Sequence, residues 1–157
     1  MINGRVQAEF LEFLEVNDKS LSPQQMHSSN ATSSWTRPEL DTIKINVDAA
    51  MGRAGSAGAT GGVARDCNGI VVGISAFSFV GISSSRLAAA MAIRNGLKMG
   101  LALNSSRILI ELDVEAIVKS CSVGKDPPSD VAVVILDCLE IKEKFQSCVI
   151  SFVKRDV

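Results

Sequence analysis

Apolar and polar residues alternate at period two in the stretch Ile43–Ala50, which is the pattern of a half-buried strand. Two further apolar runs cover residues 59–65 and 70–79. The dipeptide Asn68-Gly69 lies between them and is a strong signal for a short hairpin. The sequence therefore predicts three antiparallel strands, the first of which carries Asp48.

The second half of the chain changes to helical spacing. The longest predicted helix covers Arg86–Leu103, is rich in alanine and follows three serines that offer N-cap oxygens. The elements predicted after it are a strand over 107–113, a short helix over 114–121, a helix over 129–145 and a strand over 148–153.

The order β-β-β-α-β-α-α-β predicts an α/β domain with a mixed five-stranded sheet flanked by helices. A helix connects the third strand to the fourth, so the fourth strand returns parallel to the first. We therefore expect Asp113, at the end of the fourth strand, to lie close to Asp48. Both carboxylates could equally be solvated residues at strand ends.

The N-terminal third has a different character. Residues 1–20 place Val6, Phe10, Phe13 and Leu14 at helical spacing among acidic residues, which predicts a short amphipathic helix. Residues 21–37 are rich in Ser, Pro, Asn and Thr and are interpreted as a linker. The domain itself is expected over 38–157. The single histidine, His27, falls in the linker and is interpreted as a solvated side chain.

Charge and composition exclude some classes of function. Sixteen basic and seventeen acidic residues give a net charge of -1, so nonspecific adhesion to nucleic acid or anionic membranes is not expected. No signal peptide and no apolar run long enough to span a bilayer is present, which favours a soluble intracellular protein. The four cysteines are widely spaced and are interpreted as reduced thiols.

Five glycines occur between Gly52 and Gly62 and suggest a phosphate-binding loop at first sight. A P-loop needs a Gly-Lys-Ser/Thr ending, which is absent, and a dinucleotide fingerprint must open a helix. Here a strand follows instead. We interpret the glycines as residues that allow a tight turn and close packing of strands.

Four sequence blocks resemble, in order and spacing, the plant ribonuclease H-like (reverse-transcriptase-like) domains, which are related to type 1 ribonuclease H. The blocks are Lys44-Ile45-Asn46-Val47-Asp48, Gly62-Val63-Ala64-Arg65-Asp66-x-x-Gly69, Ala90-Met91-Ala92-Ile93-Arg94-Asn95-Gly96-Leu97 and Glu111-x-Asp113. The resemblance covers about residues 35–155 and implies the same mixed five-stranded sheet. It also implies an origin in retrotransposon-derived plant proteins.

The resemblance implies an activity, namely hydrolysis of the RNA strand of an RNA–DNA hybrid by two Mg²⁺ ions held between four carboxylates. Asp48 and Asp113 correspond to the first and third metal-binding and catalytic carboxylates. The second position, a Glu in the long helix, is Ala89 here. The fourth carboxylate and the helix that follows the last strand are expected to be missing, because Asp156 matches a different acidic residue of the family.

Two carboxylates instead of four predict a weak Mg²⁺ site and a hydrolytic activity that is lost or impaired, as in a pseudoenzyme. Three readings stay open. The protein is a residual nuclease, a nucleic-acid-binding module, or a protein-interaction or relic domain in which residues 1–20 bind a protein partner. Arg53, Arg65 and Arg86 are weak candidates for phosphate contacts, since scattered arginines are usually only a solvated surface.

Overall fold

The computed structural model describes residues 34–53, 56–123 and 127–155. The helix predicted over 1–20, the greater part of the linker, His27 and Asp156 lie outside the described residues. The domain boundaries given above therefore stay predictions.

Eight elements form the described domain, in the predicted order. They are β1 (Ile43–Met51), β2 (Ala57–Arg65), β3 (Val71–Val80), α1 (Ser85–Ala102), β4 (Arg107–Leu112), α2 (Glu115–Val123), α3 (Ala132–Lys142) and β5 (Ser147–Phe152). The last helix is shorter than predicted. Residues 129–131 form a turn before it. At the other end, the backbone N–H groups of Lys144 and Phe145 donate hydrogen bonds to carbonyls three residues earlier, so the α-helix ends in a tighter turn.

The five strands form one sheet in the order β3-β2-β1-β4-β5. The first three strands pair antiparallel, whereas β4 runs parallel to β1, and β5 runs parallel to β4. This confirms the predicted mixed sheet and places β1 at its centre. The crossover through α1 carries the chain from the edge strand β3 back to the other side of β1.

The helices cover one face of the sheet, which we call the inner face. Ile45 and Val47 of β1 and Ile110 of β4 point to this face, and all three are buried. Gly96 of α1 lies directly over them, since a Cβ there would stand 2.8 Å from Val47 Cγ1. The small side chains of α1 therefore let the helix approach the sheet closely. Lys44, Asn46 and Asp48 point to the opposite face, called the outer face.

The hairpin between β2 and β3 forms at the predicted dipeptide. Gly69 has φ of 80°, a backbone conformation that glycine adopts without steric cost. The carboxylate of Asp66 accepts hydrogen bonds from the backbone N–H groups of Asn68 and Ile70, at 2.9 and 3.0 Å. Both contacts fix the turn.

No helix among the described residues is long and apolar enough to cross a membrane.

Candidate functional site

Asp48 and Asp113 come together at the carboxyl ends of β1 and β4. The two strands run parallel with Asn46 opposite Glu111, and each aspartate stands two residues further along its strand direction. Asp48 is on β1 itself, and Asp113 immediately follows β4. The element order predicts this parallel crossover. The crossover brings Asp48 and Asp113, which are 65 positions apart in sequence, to the same end of the sheet.

Arg155 bridges the two carboxylates. Its Nη2 atom donates to both carboxylate oxygens of Asp48, each at 3.0 Å, and its Nε atom lies 2.7 Å from Asp113 Oδ2. The side chains of Arg155 and Asp48 are mostly exposed, whereas that of Asp113 is 21% exposed. Hydrogen bonds between charged groups at these distances are short and directional.

The sequence reasoning did not find this role of Arg155. A signal for it exists, because β5 pairs parallel to β4 with Phe152 opposite Leu112. Residues that follow Phe152 therefore emerge at the same end of the sheet as those that follow Leu112. A basic residue shortly after a parallel neighbouring strand is thus within reach of the strand-end carboxylates.

A small cavity of about 230 Å³ contains the two aspartates. Ala89, in the first part of α1, lines it and is only 2% exposed. Its methyl group offers no donor or acceptor. The other lining residues are Ala49, Ser85, Arg86, Leu112, Val114 and Arg155. Ala89 therefore presents an apolar wall to the cavity that holds Asp48 and Asp113.

The three candidate arginines do not form one patch. Arg86 lines the same cavity as the aspartates, and its guanidinium pairs with Asp130 at 3.2 Å. Arg53 lies in the turn that follows β1. Arg65 is at the far end of β2, opposite Lys44, with its guanidinium 5.3 Å from the centre of the Trp35 ring. Only Arg86 shares the cavity of the two aspartates.

The residues present do not fit a two-metal centre. In the described part of the chain, no group of three or more His, Cys, Asp or Glu side chains is arranged to hold a metal ion. Mg²⁺ binds negative oxygen donors, and among the described residues only two carboxylates, those of Asp48 and Asp113, line this cavity. Both already accept hydrogen bonds from one guanidinium, whose positive charge would repel a second cation between them.

A second polar cluster lies on the outer face and was also missed from the sequence. The ammonium group of Lys44 lies 2.9 Å from Glu111 Oε1 and donates to the Thr36 carbonyl oxygen at 2.8 Å. Asn46 donates to Glu111 Oε2 at 2.9 Å and accepts from the Trp35 indole at 3.0 Å. This cluster fixes residues 35 and 36 on the sheet and satisfies a buried lysine.

The cysteines lie away from the aspartates and are all free. Burial raises the pKa of the Cys148 thiol to about 11. The pKa of Cys138 is also raised, first by its hydrogen bond with the Cys121 thiol and then by burial. The raised pKa values favour the protonated thiols of Cys138 and Cys148 near pH 7, which lowers their nucleophilicity.

Comparison with known proteins identifies a family for this chain. The sequence profile of the family described as reverse transcriptase-like matches residues 46–157, which is more than half of the chain. No curated protein matches the chain. Several solved structures of ribonuclease H1 and related domains match it well, although each shares less than a fifth of its residues with this chain.

Ribonuclease H1 from Halobacterium salinarum NRC-1 superimposes with a TM-score of 0.66 and 19% identity, over 73% of this chain and 86% of that one. The N-terminal RNase H domain of a Mycobacterium tuberculosis protein gives 0.66 and 17%, over 73% and 83%. LC11-RNase H1, isolated from compost and solved in complex with an RNA/DNA hybrid, gives 0.62 and 19%, over 72% and 86%.

At these identities the superpositions establish the fold. The family match rests on the sequence itself and includes Asp48, Ala89 and Asp113. The mixed five-stranded sheet, with its first three strands antiparallel, agrees with the fold of these solved structures. The chain belongs to the reverse transcriptase-like family, and its domain has the ribonuclease H-like fold.

Proposed function

We propose that this protein is a ribonuclease H-like domain that binds nucleic acid, RNA–DNA hybrids in particular, without hydrolysing it at the rate of a complete nuclease. One observation carries the loss of hydrolysis. The guanidinium of Arg155 pairs with both Asp48 and Asp113. Ala89 is consistent with this, because it supplies a methyl group to the cavity at the position where the resemblance implies a glutamate.

Metal-dependent hydrolysis of a phosphodiester needs an activated water and a stabilised leaving oxygen. Two Mg²⁺ ions supply both effects when several carboxylates hold them in near-octahedral geometry. Because the two carboxylates here are already paired with an arginine, water molecules would supply most of the ligands of such ions. Because a misplacement of about 1 Å can lower a rate on the order of 100-fold, residual metal binding would not restore efficient catalysis.

The charge at this end of the sheet affects the approach of nucleic acid. The two aspartates carry two negative charges and Arg155 carries one positive charge, so the group of three has a net charge of -1. A bare pair of carboxylates would repel a phosphodiester more strongly. Arg86 adds a partly exposed guanidinium at the wall of the same cavity. Pairing with Arg155 therefore lowers the electrostatic repulsion that a phosphodiester meets at this end of the sheet, which supports the proposed binding.

Hydrolysis and binding are measured separately on the 157-residue chain. A labelled RNA–DNA hybrid is incubated with Mg²⁺ or Mn²⁺, and the expected result is no cleavage above that of Asp48→Asn. Cleavage at the rate of a complete family member, abolished by Asp48→Asn, would contradict the proposed loss of activity.

Binding is followed by fluorescence anisotropy of labelled hybrid, duplex DNA and duplex RNA. We expect the hybrid to bind most tightly, with an affinity that falls as salt rises. Absence of binding at about 50 mM salt, where electrostatic contacts are strong, would exclude the nucleic-acid-binding function.

The second candidate is a protein-interaction or relic domain of a retrotransposon-derived gene, without nucleic-acid activity. The observation that favours it is the small number of basic groups at the aspartate cavity, where Arg86 is already paired with Asp130. Capture of a protein partner that requires residues 1–20, together with no hybrid binding, would support this candidate.

A further inference from the structure

A second cavity lies on the outer face of the sheet, beside the cavity that holds Asp48 and Asp113. It has a volume of about 470 Å³. Cavities of this size bind small ligands when a few polar groups converge beside an apolar or aromatic wall. The described lining residues that matter for such a ligand are Trp35, Lys44, Asn46, Glu111 and Lys154. Their free donors and acceptors therefore indicate which ligand this cavity takes.

Lys44 and Glu111 form a largely buried ion pair in the wall of this cavity, with Lys44 Nζ 2.9 Å from Glu111 Oε1. The ammonium group has three donors. Besides Glu111, the carbonyl and the hydroxyl oxygen of Thr36 accept from it, at 2.8 and 3.4 Å. The donors of Lys44 are thus used within the described part of the chain, and its charge holds the Glu111 carboxylate in place.

Glu111 and Asn46 keep hydrogen-bonding capacity that the described residues do not use. A carboxylate has about four acceptor positions, and Glu111 accepts from Lys44 and Asn46 within the described domain. The Asn46 amide has two N–H donors, of which one bonds to Glu111 Oε2 at 2.9 Å. The cavity wall therefore offers the acceptors of one carboxylate directly beside an amide donor.

Trp35 supplies an aromatic wall that is already oriented. Its indole N–H donates to Asn46 Oδ1 at 3.0 Å, and the Lys44 ammonium lies 4.8 Å from the ring centre. The residue is still 39% exposed. Planar bases pack on aromatic side chains of this kind, and a ring that is already held in place lowers the entropic cost of binding.

Basic side chains follow β5 at the edge of this cavity. Lys154 lines the cavity and is exposed, and Arg155 pairs with Asp48 in the neighbouring one. Asn46 and Asp48 are two residues apart on β1, which is roughly 7 Å along a strand. A base beside Asn46 and a phosphate beside Lys154 are therefore close enough to belong to one nucleotide.

We propose that this cavity binds an unpaired guanine base, with the phosphate of the same nucleotide beside Lys154. The N1–H and 2-amino groups of guanine are adjacent donors for Glu111, and its O6 atom accepts from Asn46. Adenine, cytosine and uracil do not combine two adjacent donors with an acceptor on one edge. The ligand is a guanine nucleotide, either free or unpaired within a strand. This goes beyond the proposed function, because it gives a separate site and a base preference.

NMR titration of the 157-residue chain tests the site, because Trp35 is the single tryptophan and gives one indole N–H signal. GMP is expected to shift this signal saturably. IMP, which lacks the 2-amino group, should bind at least about tenfold more weakly, since a hydrogen bond to a buried carboxylate is lost. UMP should cause no saturable shift. Equal affinities for the three nucleotides would overturn the proposal, as would no saturable shift with GMP.

Variants locate the two halves of the ligand. Lys154→Ala should weaken GMP binding about three- to fivefold and leave guanosine binding unchanged, because the ammonium group attracts only the phosphate. Lys98→Ala removes an exposed lysine of α1 and is the matched control, with no effect on either ligand. Glu111→Gln should abolish the preference for GMP over IMP. A preference that survives in folded Glu111→Gln would overturn the proposed base contacts.

Two short single-stranded RNAs distinguish a free nucleotide from an unpaired base. One contains a single guanosine among uridines, and the other contains uridines alone. A shift of the Trp35 signal with the guanosine strand supports an unpaired base as the ligand, whereas a shift with GMP alone supports a free nucleotide. Equal shifts with both strands would overturn the base preference. Hybrid binding by anisotropy, without a shift from GMP or the guanosine strand, would overturn this proposal and leave the proposed function in place.

Discussion

Arg155 donates two hydrogen bonds to the carboxylate of Asp48, each 3.0 Å long. The residues are 107 positions apart in sequence: Asp48 lies on the first strand of the chain, and Arg155 follows the last. The same guanidinium reaches Asp113, so one cation neutralises part of the charge of both aspartates. One side chain that follows the last strand therefore pairs with the strand-end carboxylates of both β1 and β4.

Restoring a carboxylate at position 89 while removing the arginine should create a metal site. In Ala89→Glu/Arg155→Ala, three carboxylates line the cavity, and the guanidinium that pairs with both aspartates is gone. We expect Mn²⁺ to bind at least about tenfold tighter than in the unmodified protein, because affinity for hard cations rises with the number of charged oxygen ligands. Paramagnetic resonance of free Mn²⁺ measures this affinity directly.

The control for that variant is Ala89→Gln/Arg155→Ala, which has a side chain of the same length without the charge. It should bind Mn²⁺ no more tightly than Arg155→Ala alone. Equal affinity in the Glu and Gln variants would contradict the interpretation that position 89 lacks only a ligand. Thermal unfolding of both variants checks that the buried position accepts the longer side chain.

Arg86 should contribute to nucleic-acid binding if hybrids approach the aspartate cavity. Arg86→Ala is expected to weaken hybrid binding by about three- to fivefold near 100 mM salt and to reduce the salt slope by about 1, as for the loss of one phosphate contact. Anisotropy titrations at several salt concentrations measure both quantities. Lys98→Ala removes an exposed basic residue further along α1 and should change neither.

The ion pair between Lys44 and Glu111 should stabilise the sheet only as an intact pair. Their side chains are 3% and 13% exposed, so Lys44→Met leaves a largely buried carboxylate without its cation. We expect this change to lower the free energy of unfolding by about 3 kcal/mol. The double variant Lys44→Met/Glu111→Leu should recover most of that loss, because no isolated charge remains. Urea denaturation gives both values, and equal stability of the single and double variants would contradict this reasoning.

Gly96 should tolerate no side chain while Val47 keeps its full size. A Cβ at this position would stand 2.8 Å from Val47 Cγ1, and overpacking of this kind typically costs about 1–3 kcal/mol. Gly96→Ala should therefore lower the thermal midpoint, and adding Val47→Ala should restore part of it. Gly61→Ala is the control, since the nearest atom to its Cβ is the Ser75 carbonyl oxygen at 3.9 Å. Calorimetry should show little change for this control.

Much of the fold could be predicted because local signals agreed with one another. The period-two alternation of β1, the Asn68-Gly69 hairpin and the alanine-rich helix each indicate a local conformation, and the helix between β3 and β4 requires a parallel return. Helix ends were less certain, as α3 shows, because hydrogen-bond geometry in the last turn decides them and the apolar pattern does not.

The sequence by itself determined the antiparallel pairing of the first three strands, the parallel return of the fourth strand that brings Asp113 near Asp48, and the alanine at position 89, since these follow from local pattern, the connecting helix and residue identity. Only the tertiary structure decided what faces the aspartates. Arg155 reaches them because parallel pairing of β4 with β5 brings the residues after both strands to one edge, and no local pattern encodes that pairing register. The charge of the site is thus a property of the folded chain.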